Sequence, residues 1–425
     1  MKADSTIRTR APRKRGVIEM PQFTLLLVAM SLVIAACGGT DDGATTTAAP
    51  DDASTTTQVE ATETTETTET TVGGEELSPE IQAAADAAAA LGLGFVTSHD
   101  EIVAGAEAED GKLVVQTSTS DFQVFKDAFE ADYPFIELEW VELSGAATER
   151  MLIEVESGQA SRYDVGYPAP EAYNVISDLM GWDLYGMAEA GILTIPLASI
   201  DEENHVVVAA GSSGIALAYN SDLVAEADLP QSWEDLADPK WGRDQLGMAM
   251  DVDLNNVSVL ATSPDWGIER VVELMSQIAA NEPIYVDGHV NAALLVQSGE
   301  VAISPFINLH SAVREYAKDP EGPLQIHFIE PVPIRASEAY GVFSDQLAEA
   351  PYSGLLFVEW IANDDDAQEL LDADPLQASL NWAGSDMAEM IGDREVTIAV
   401  PAAVTILPDW IEQIHEAAGF PQITS

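Results

Sequence analysis

From residue 112 onward, short apolar runs of strand character alternate with amphipathic helical stretches, and that alternation leaves few folds open. Lys112 to Thr117 reads as a buried strand, and Ser120-Asp121 is expected to cap a helix with Phe122, Phe125 and Phe129 on one face. Phe135 to Leu143 alternates like a strand, 148–155 is helical, 163–167 is a short strand and 170–180 is helical. Further strands are expected at 205–209, 214–219, 245–250, 301–307, 325–329 and 339–343. Helices are expected between them at 254–262, 265–279, 290–298, 310–317, 351–373 and 406–418. Gly211-Ser-Ser-Gly214 reads as a turn. Strand–helix alternation of this kind means an α/β architecture. In such sheets ligands sit beyond the carboxyl ends of the strands, so the loop Gln116 to Asp121 is a candidate site on topology alone.

The front of the chain has a different character. Six basic residues lie within the first 15, and Phe23 to Ala36 is nearly all apolar. That run is shorter than the roughly 20 residues a spanning helix needs and has the layout of a secretion signal. It ends at Ile34-Ala35-Ala36-Cys37, which resembles a bacterial lipobox with Ile34 where Leu is usual. Cys37 is the only cysteine, so its acylation leaves no thiol for a disulfide, a metal or a nucleophile. Residues 38–77 hold fourteen threonines and ten acids with no aromatic, lysine or arginine, a composition that buries no core. Such a stretch acts as a tether, on the order of 5–6 Å × √40 in span. A lipobox followed by a Thr/Asp/Glu tether resembles surface lipoproteins of actinobacteria.

The whole chain carries 17 basic and 73 acidic residues, and from residue 78 onward 61 acids face 11 bases. Nucleic-acid binding needs a basic footprint, so this balance argues against it and against adhesion to anionic lipid. The acids are scattered rather than clustered, which favours solubility in salt over a polycationic partner. The 348 residues after 77 are enough for two lobes. His-Glu-x-x-His, Gly-x-Ser-x-Gly and phosphate-loop patterns are missing, and six histidines leave few catalytic bases. An enzyme is therefore not expected, although a surface hydrolase stays open as a rival.

Five segments, in order, resemble the extracellular solute-binding proteins of ABC importers. GKLVVQTSTSDFQVFKDAFEADYP is similar to their first strand and helix, and RYDVGYPAPEAYNVI to a later crossover strand. The most specific is Tyr219 to Ala249, whose Pro-x-Ser-Trp-Glu-Asp-Leu-x-Asp-Pro-Lys-Trp pattern resembles the ferric-iron, polyamine and phosphonate types. LLVQSGEVAI and PYSGLLFVEWIANDDDAQELL fit the same family. The resemblance implies a type II periplasmic-binding-protein-like fold, two α/β lobes with a mixed sheet in each, closing on a solute. It implies a monomer delivering that solute to a permease, with no cofactor.

The expected organisation is a signal at 1–36, lipidated Cys37 and tether to 77, and a peripheral helical extension at 78–109. Lobe 1 would be 110–205 plus 333–378, and lobe 2 would be 206–332 plus 379–425. The family's iron-binding tyrosine pair would fall on Leu309 and His310, so iron would need other ligands. Asn308 and His310 either face the ligand or serve the following helix. Asp251, Asp253 and Asn255 fall where the family cradles an anion; they suit a cationic group or cap the next helix. Ser118, Thr119 and Ser120 precede a helix N-terminus and favour a carboxylate, phosphonate or phosphate. Tyr167, Glu171 and Tyr340 complete the candidates, at loop positions where relatives contact ligand. The two ends together point to a cationic or zwitterionic solute such as a polyamine or an aminophosphonate.

Overall fold

In the computed structural model the described residues are 77–117, 122–143, 146–157, 163–168, 173–243, 245–250, 255–263, 265–373, 376–399 and 407–419. The lipobox with Cys37 and the tether lie outside them. Among the described residues the chain begins with α1 (Pro79–Leu91) and α2 (His99–Ala108). Next come β1 (Lys112–Thr117), α3 (Gln123–Asp132), β2 (Glu137–Glu142), α4 (Ala146–Glu156), β3 (Val165–Gly166), α5 (Tyr173–Ser177) and α6 (Leu184–Glu189). A long β4 (Val208–Asn220) follows, then β5 (Gly247–Met250), α7 (Asn255–Ala261), α8 (Gly267–Ala279), β6 (Ile284–Asp287) and α9 (His289–Ser298). Then come β7 (Ile303–Asn308), α10 (Leu309–Tyr316), β8 (Leu324–His327) and a second long strand, β9 (Val332–Val342). The chain finishes with α11 (Pro351–Asn363), α12 (Asp365–Ala373), α13 (Asp386–Ile391), β10 (Val396–Ala399) and α14 (Leu407–Ala418).

The two long strands organise everything else. β4 and β9 pair antiparallel along their length, with Val208 opposite Tyr340, Gly211 opposite Ser337 and Gly214 opposite Ile334. At one end β9 continues the order β2-β1-β3-β9, in which β1 and β2 run parallel and Val165 faces Val342 antiparallel. At the other end β9 takes β10 as a parallel neighbour, while β4 pairs with β7 and β8. β5 and β6 pair with each other, and Gln245 joins them to β7 by accepting the Ala302 and Ile303 amides at 2.9 Å.

Each end has its own core. Around β1, β3 and α11 an aromatic group fills one side of the sheet, with Phe129 edge-on to Phe357 at 5.4 Å and to Trp360 at 5.3 Å. Leu143, Met151, Tyr163, Ile176 and Phe343 fill the other side. The second end buries Trp233, Val257, Leu274 and Ile278 on one side, and Ala292, Val296, Leu309 and Ala312 on the other. Buried carboxylates knit the first end. Asp164 is wholly buried and accepts three backbone amides at 2.8 Å, from Val114, Glu349 and Ala350. Glu109 caps α11 by accepting the Tyr352 and Ser353 amides at 2.8 and 3.0 Å, which clamps α2 onto that helix.

Several expectations change. Gly211-Ser-Ser-Gly214 is the middle of β4, not a turn, because β9 on one side and a bridge to Ala378 on the other supply ladder bonds that outweigh local turn preference. The strands expected at 205–209 and 214–219 are therefore one element, and 339–343 is only the end of β9. The helix expected over 351–373 breaks at Asp364, whose extended backbone ends α11 and whose carboxylate accepts the Asp366 amide at 2.8 Å. The helix expected to be capped by Ser120-Asp121 has Phe122 at its N-cap and no side-chain cap.

Candidate functional site

Two groups of strand ends look toward the stretch where β4 and β9 pass between the cores. Side chains alternate along a strand, so Leu113, Val115 and Thr117 of β1 face the aromatic core while Val114 and Gln116 face the opposite side. Gln116 is fully buried, and neither atom of its amide has a partner. Thr148 of α4, next to Met151 in the same cluster, is also buried, with an unpartnered hydroxyl. An unmet buried polar atom costs about 1–3 kcal/mol, so such atoms call for an explanation.

The long strands continue the pattern. Odd-numbered residues share a face: Val207 and Ala339 pack with Met151 and Tyr163, while Ile215, with Ala399 across from Arg335, packs with Trp233 and Val257. The stretch between carries Gly211, Ser213, Arg335 and Ser337 on the same side as Gln116. Ser213 is buried, and its hydroxyl and that of Ser337 have no partner.

At the second end the arrangement starts from Trp233. Ser232 and Asp235 form a capping box, Asp235 accepting the Ser232 amide at 3.0 Å, and this fixes the turn that buries Trp233. The indole donates to the Pro331 carbonyl at 3.1 Å and stacks on Phe306 at 4.5 Å. Phe306 has φ of 53°, a left-handed conformation that is costly for a bulky residue and that the stacked indole helps to hold. The kink delivers the Phe306 carbonyl to Asn256, whose amide nitrogen donates to it at 2.9 Å and to Asn308 Oδ1 at 2.7 Å. The same nitrogen lies 3.5 Å from His289 Nε2, and Asn256 Oδ1 has no partner although the residue is 2% exposed. α9 and α10 begin beside it, and neither has a side-chain cap. The positive ends of both helix dipoles thus meet at one spot, a setting that favours negative charge.

The sequence candidates divide. Ser118, Thr119, Ser120, Glu171, Asp251, Asp253 and the Asn255 side chain lie outside the described residues. Asn308 stands at the head of α10 against Asn256, and half-buried His310 is one turn-position further on. Leu309 is fully buried among Ala292, Val296 and Met387. Tyr340 is 1% exposed, packs edge-on against Phe357 and Tyr167, and donates to Glu338 at 3.0 Å. Burial, then the Glu338 charge, push its phenol far above the usual range, and burial likewise raises the Glu338 carboxyl. Gln116 lay within the first candidate loop and Asn256 at the end of the acidic one, whereas Thr148, Ser213, His289, Arg335 and Ser337 were not foreseen. Asp132, Asp364 and Asp366 are the cluster among the described residues with metal-like spacing, and they lie at the end of α3, the α11–α12 break and the start of α12, not at the strand ends.

Residues 193–332 match the pattern of the bacterial extracellular solute-binding proteins. The body has the two-lobed fold of periplasmic binding proteins. No curated protein sequence matches the chain. Among solved structures, Mannheimia haemolytica ferric iron-binding protein A in an open conformation is 15% identical with a TM-score of 0.57, over 72% of this chain and 98% of that one. A Trichodesmium protein in complex with iron and citrate is 17% identical with a TM-score of 0.55, over 72% and 99%. The apo ferric ion-binding protein A of Pasteurella haemolytica is 14% identical with a TM-score of 0.56, over 74% and 100%. β4 and β9 are the paired strands that run between the two cores. The Pro-x-Ser-Trp motif that carried the resemblance serves the second lobe's core and reaches the site only through Phe306. Among the described residues no helix is long and apolar enough to cross a membrane.

Proposed function

We propose that the chain is the substrate-binding lipoprotein of an ABC importer, capturing a small zwitterionic solute of the aminophosphonate type between its lobes. The observation that carries this reading is the set of unpartnered buried polar side chains, Gln116, Thr148, Ser213 and Asn256, drawn from both lobes and from the strands between them. An enzyme would need a nucleophile or base here, and a pure scaffold would have no reason to keep amides and hydroxyls buried without partners. Amides and hydroxyls match a polar organic solute, and the uncapped starts of α9 and α10 favour its anionic part. The acidic loop with Asp251 and Asp253 would take the ammonium end. Closure of the lobes about β4 and β9 would enclose the solute and present it to a permease. Acylated Cys37 and the tether to residue 77 would hold the monomer at the outer face of the cytoplasmic membrane.

Ferric iron is the second reading, because the similar structures are ferric-binding proteins. Against it, one of the two positions expected to carry the iron-binding tyrosines is Leu309, sealed in the core. Calorimetric titration with 2-aminoethylphosphonate, putrescine, spermidine and Fe³⁺, paired with small-angle scattering, separates the readings. Tight binding of the aminophosphonate with compaction of the protein is expected. Tight binding of Fe³⁺ alone would replace it with the iron reading, and turnover of any probe would make the protein an enzyme.

A further inference from the structure

We infer that Arg335, flanked by the hydroxyls of Ser213 and Ser337, is the oxyanion anchor of the solute, so that the ligand carries a carboxylate or phosphonate seated on the crossover strands. This inference rests on the solute-capture reading and names the group that the site recognises.

Arg335 is a cation without a hydrogen bond or ion pair among the described residues; the charge nearest to it in effect is Glu338. In a chain of net charge −56, arginines and lysines have carboxylates in reach at almost every turn. Lys112, Lys126, Arg150, Arg270 and Lys318 each reach one. Lys240 and Arg394 reach backbone carbonyls and aromatic rings instead. Half-buried Arg335 makes no hydrogen bond or ion pair among the described residues. A guanidinium loses hydration when half-buried and normally recovers it through paired acceptors.

Its neighbours are of matching chemistry. Ser213 stands directly across the ladder from Arg335, and Ser337 is the next residue on the same face of β9. Directly opposed side chains lie about 5 Å apart at Cβ, and alternate residues of one strand about 7 Å. One oxyanion can therefore meet the guanidinium fork and both hydroxyls, neither of which has a partner. The residue across from Ser337 is Gly211, where a Cβ would sit 3.0 Å from the Ser337 hydroxyl and 2.7 Å from the Gln377 carbonyl. Glycine leaves that hydroxyl uncrowded. The nearby acid, Glu338, lies on the adjoining position; it feels the Arg335 charge, but its hydrogen bond comes from Tyr340, which leaves the guanidinium fork open to an anion. Arginine binds carboxylates and phosphonates in bidentate fashion, which fixes orientation as well as charge. Because Arg335 sits where the chain passes between lobes, an anion held there touches the moving part itself.

The test uses the full mature chain and its R335Q, R335K and S213A variants, titrated with 2-aminoethylphosphonate, inorganic phosphate, citrate and putrescine. The expected result is a loss of at least tenfold in affinity for the anionic probes in R335Q, partial retention in R335K and a smaller loss in S213A. The unliganded melting temperature of R335Q should match the parent, since no partner is removed. Tighter binding of the aminophosphonate than of phosphate identifies an organic solute; equal binding identifies inorganic phosphate, and both support the anchor. R335Q binding the anionic probes within twofold of the parent overturns it. A parent that compacts around putrescine or Fe³⁺ and ignores every anion also overturns the anchor while leaving solute capture intact. A parent that neither binds nor compacts with any probe removes both readings.

Discussion

Asp164 offers the sharpest test of how the first lobe is held. Its carboxylate has no solvent contact and accepts three backbone amides that arrive from two places, β1 and the start of α11. Replacing it with alanine removes the acceptor of three N–H groups, of which those of Val114 and Ala350 lie in the interior. Each such group costs about 1–3 kcal/mol, but three sharing one acceptor are not additive, so we expect about 3–5 kcal/mol in total. Asparagine should keep the two bonds to Glu349 and Ala350 through its carbonyl and turn an N–H₂ toward the Val114 amide, at a cost of about 1–3 kcal/mol. For a body of this size a kcal/mol corresponds to roughly 2 °C in melting temperature, so D164A should melt about 6–10 °C lower and D164N about 2–6 °C lower. Differential scanning calorimetry on the unliganded protein reads both. A D164A variant melting within 2 °C of the parent would refute the view that this carboxylate pins α11 to the sheet.

Further outcomes are expected. At Gly341 a Cβ would lie 2.4 Å from the Val206 carbonyl and 2.1 Å from Met180 Sδ, so G341A should lower the melting temperature strongly, whereas G92A meets nothing within 4 Å and is strained only by its φ of 77°. G105A places a methyl 2.4 Å from the Tyr352 ring and should loosen α2 from α11, read as faster amide exchange over residues 99–108. Removing the α11 cap with E109A should cost about 1–2 kcal/mol in urea titration. Burial pushes the phenols of Tyr133 and Tyr285 up to about 12, against about 10 in an unfolded chain. Their contribution is complete below pH 10 and fades as pH climbs from 10 to 12, so Y285F should lose less stability than the parent across that interval.

Much of the fold was legible because strand and helix periods differ and the chain keeps them apart; β1, β2, α8 and α9 stand within a few residues of expectation. What failed is instructive. Gly211 to Gly214 carries local turn chemistry, yet neighbours distant in sequence hold it extended. α2 was read only as part of a helical extension over 78–109, although Ser98 and Glu101 give its start, Ser98 accepting the Glu101 amide at 3.2 Å and Glu101 accepting the Thr97 amide at 2.9 Å. Of the candidate site, topology pointed to Gln116 and the family resemblance to Asn308. Arg335 and Ser213 meet through a pairing across more than a hundred residues of chain, which no local pattern announces. A lone arginine in the run PVPIRASEAY, inside a body with 61 acids, was the available signal.

Two strands, ladder-bonded into one ribbon between the halves, have a mechanical consequence. A paired ribbon folds readily about a line across its width and resists sliding along its length, so on the solute-capture reading the mouth would open and shut through one angle rather than wander. That angle acts as a gauge of what lies inside. Fluorophores at exposed Val124 and Leu294, on opposite halves, would report occupancy as a change in a single separation, making the molecule usable as a sensor once its cargo is known.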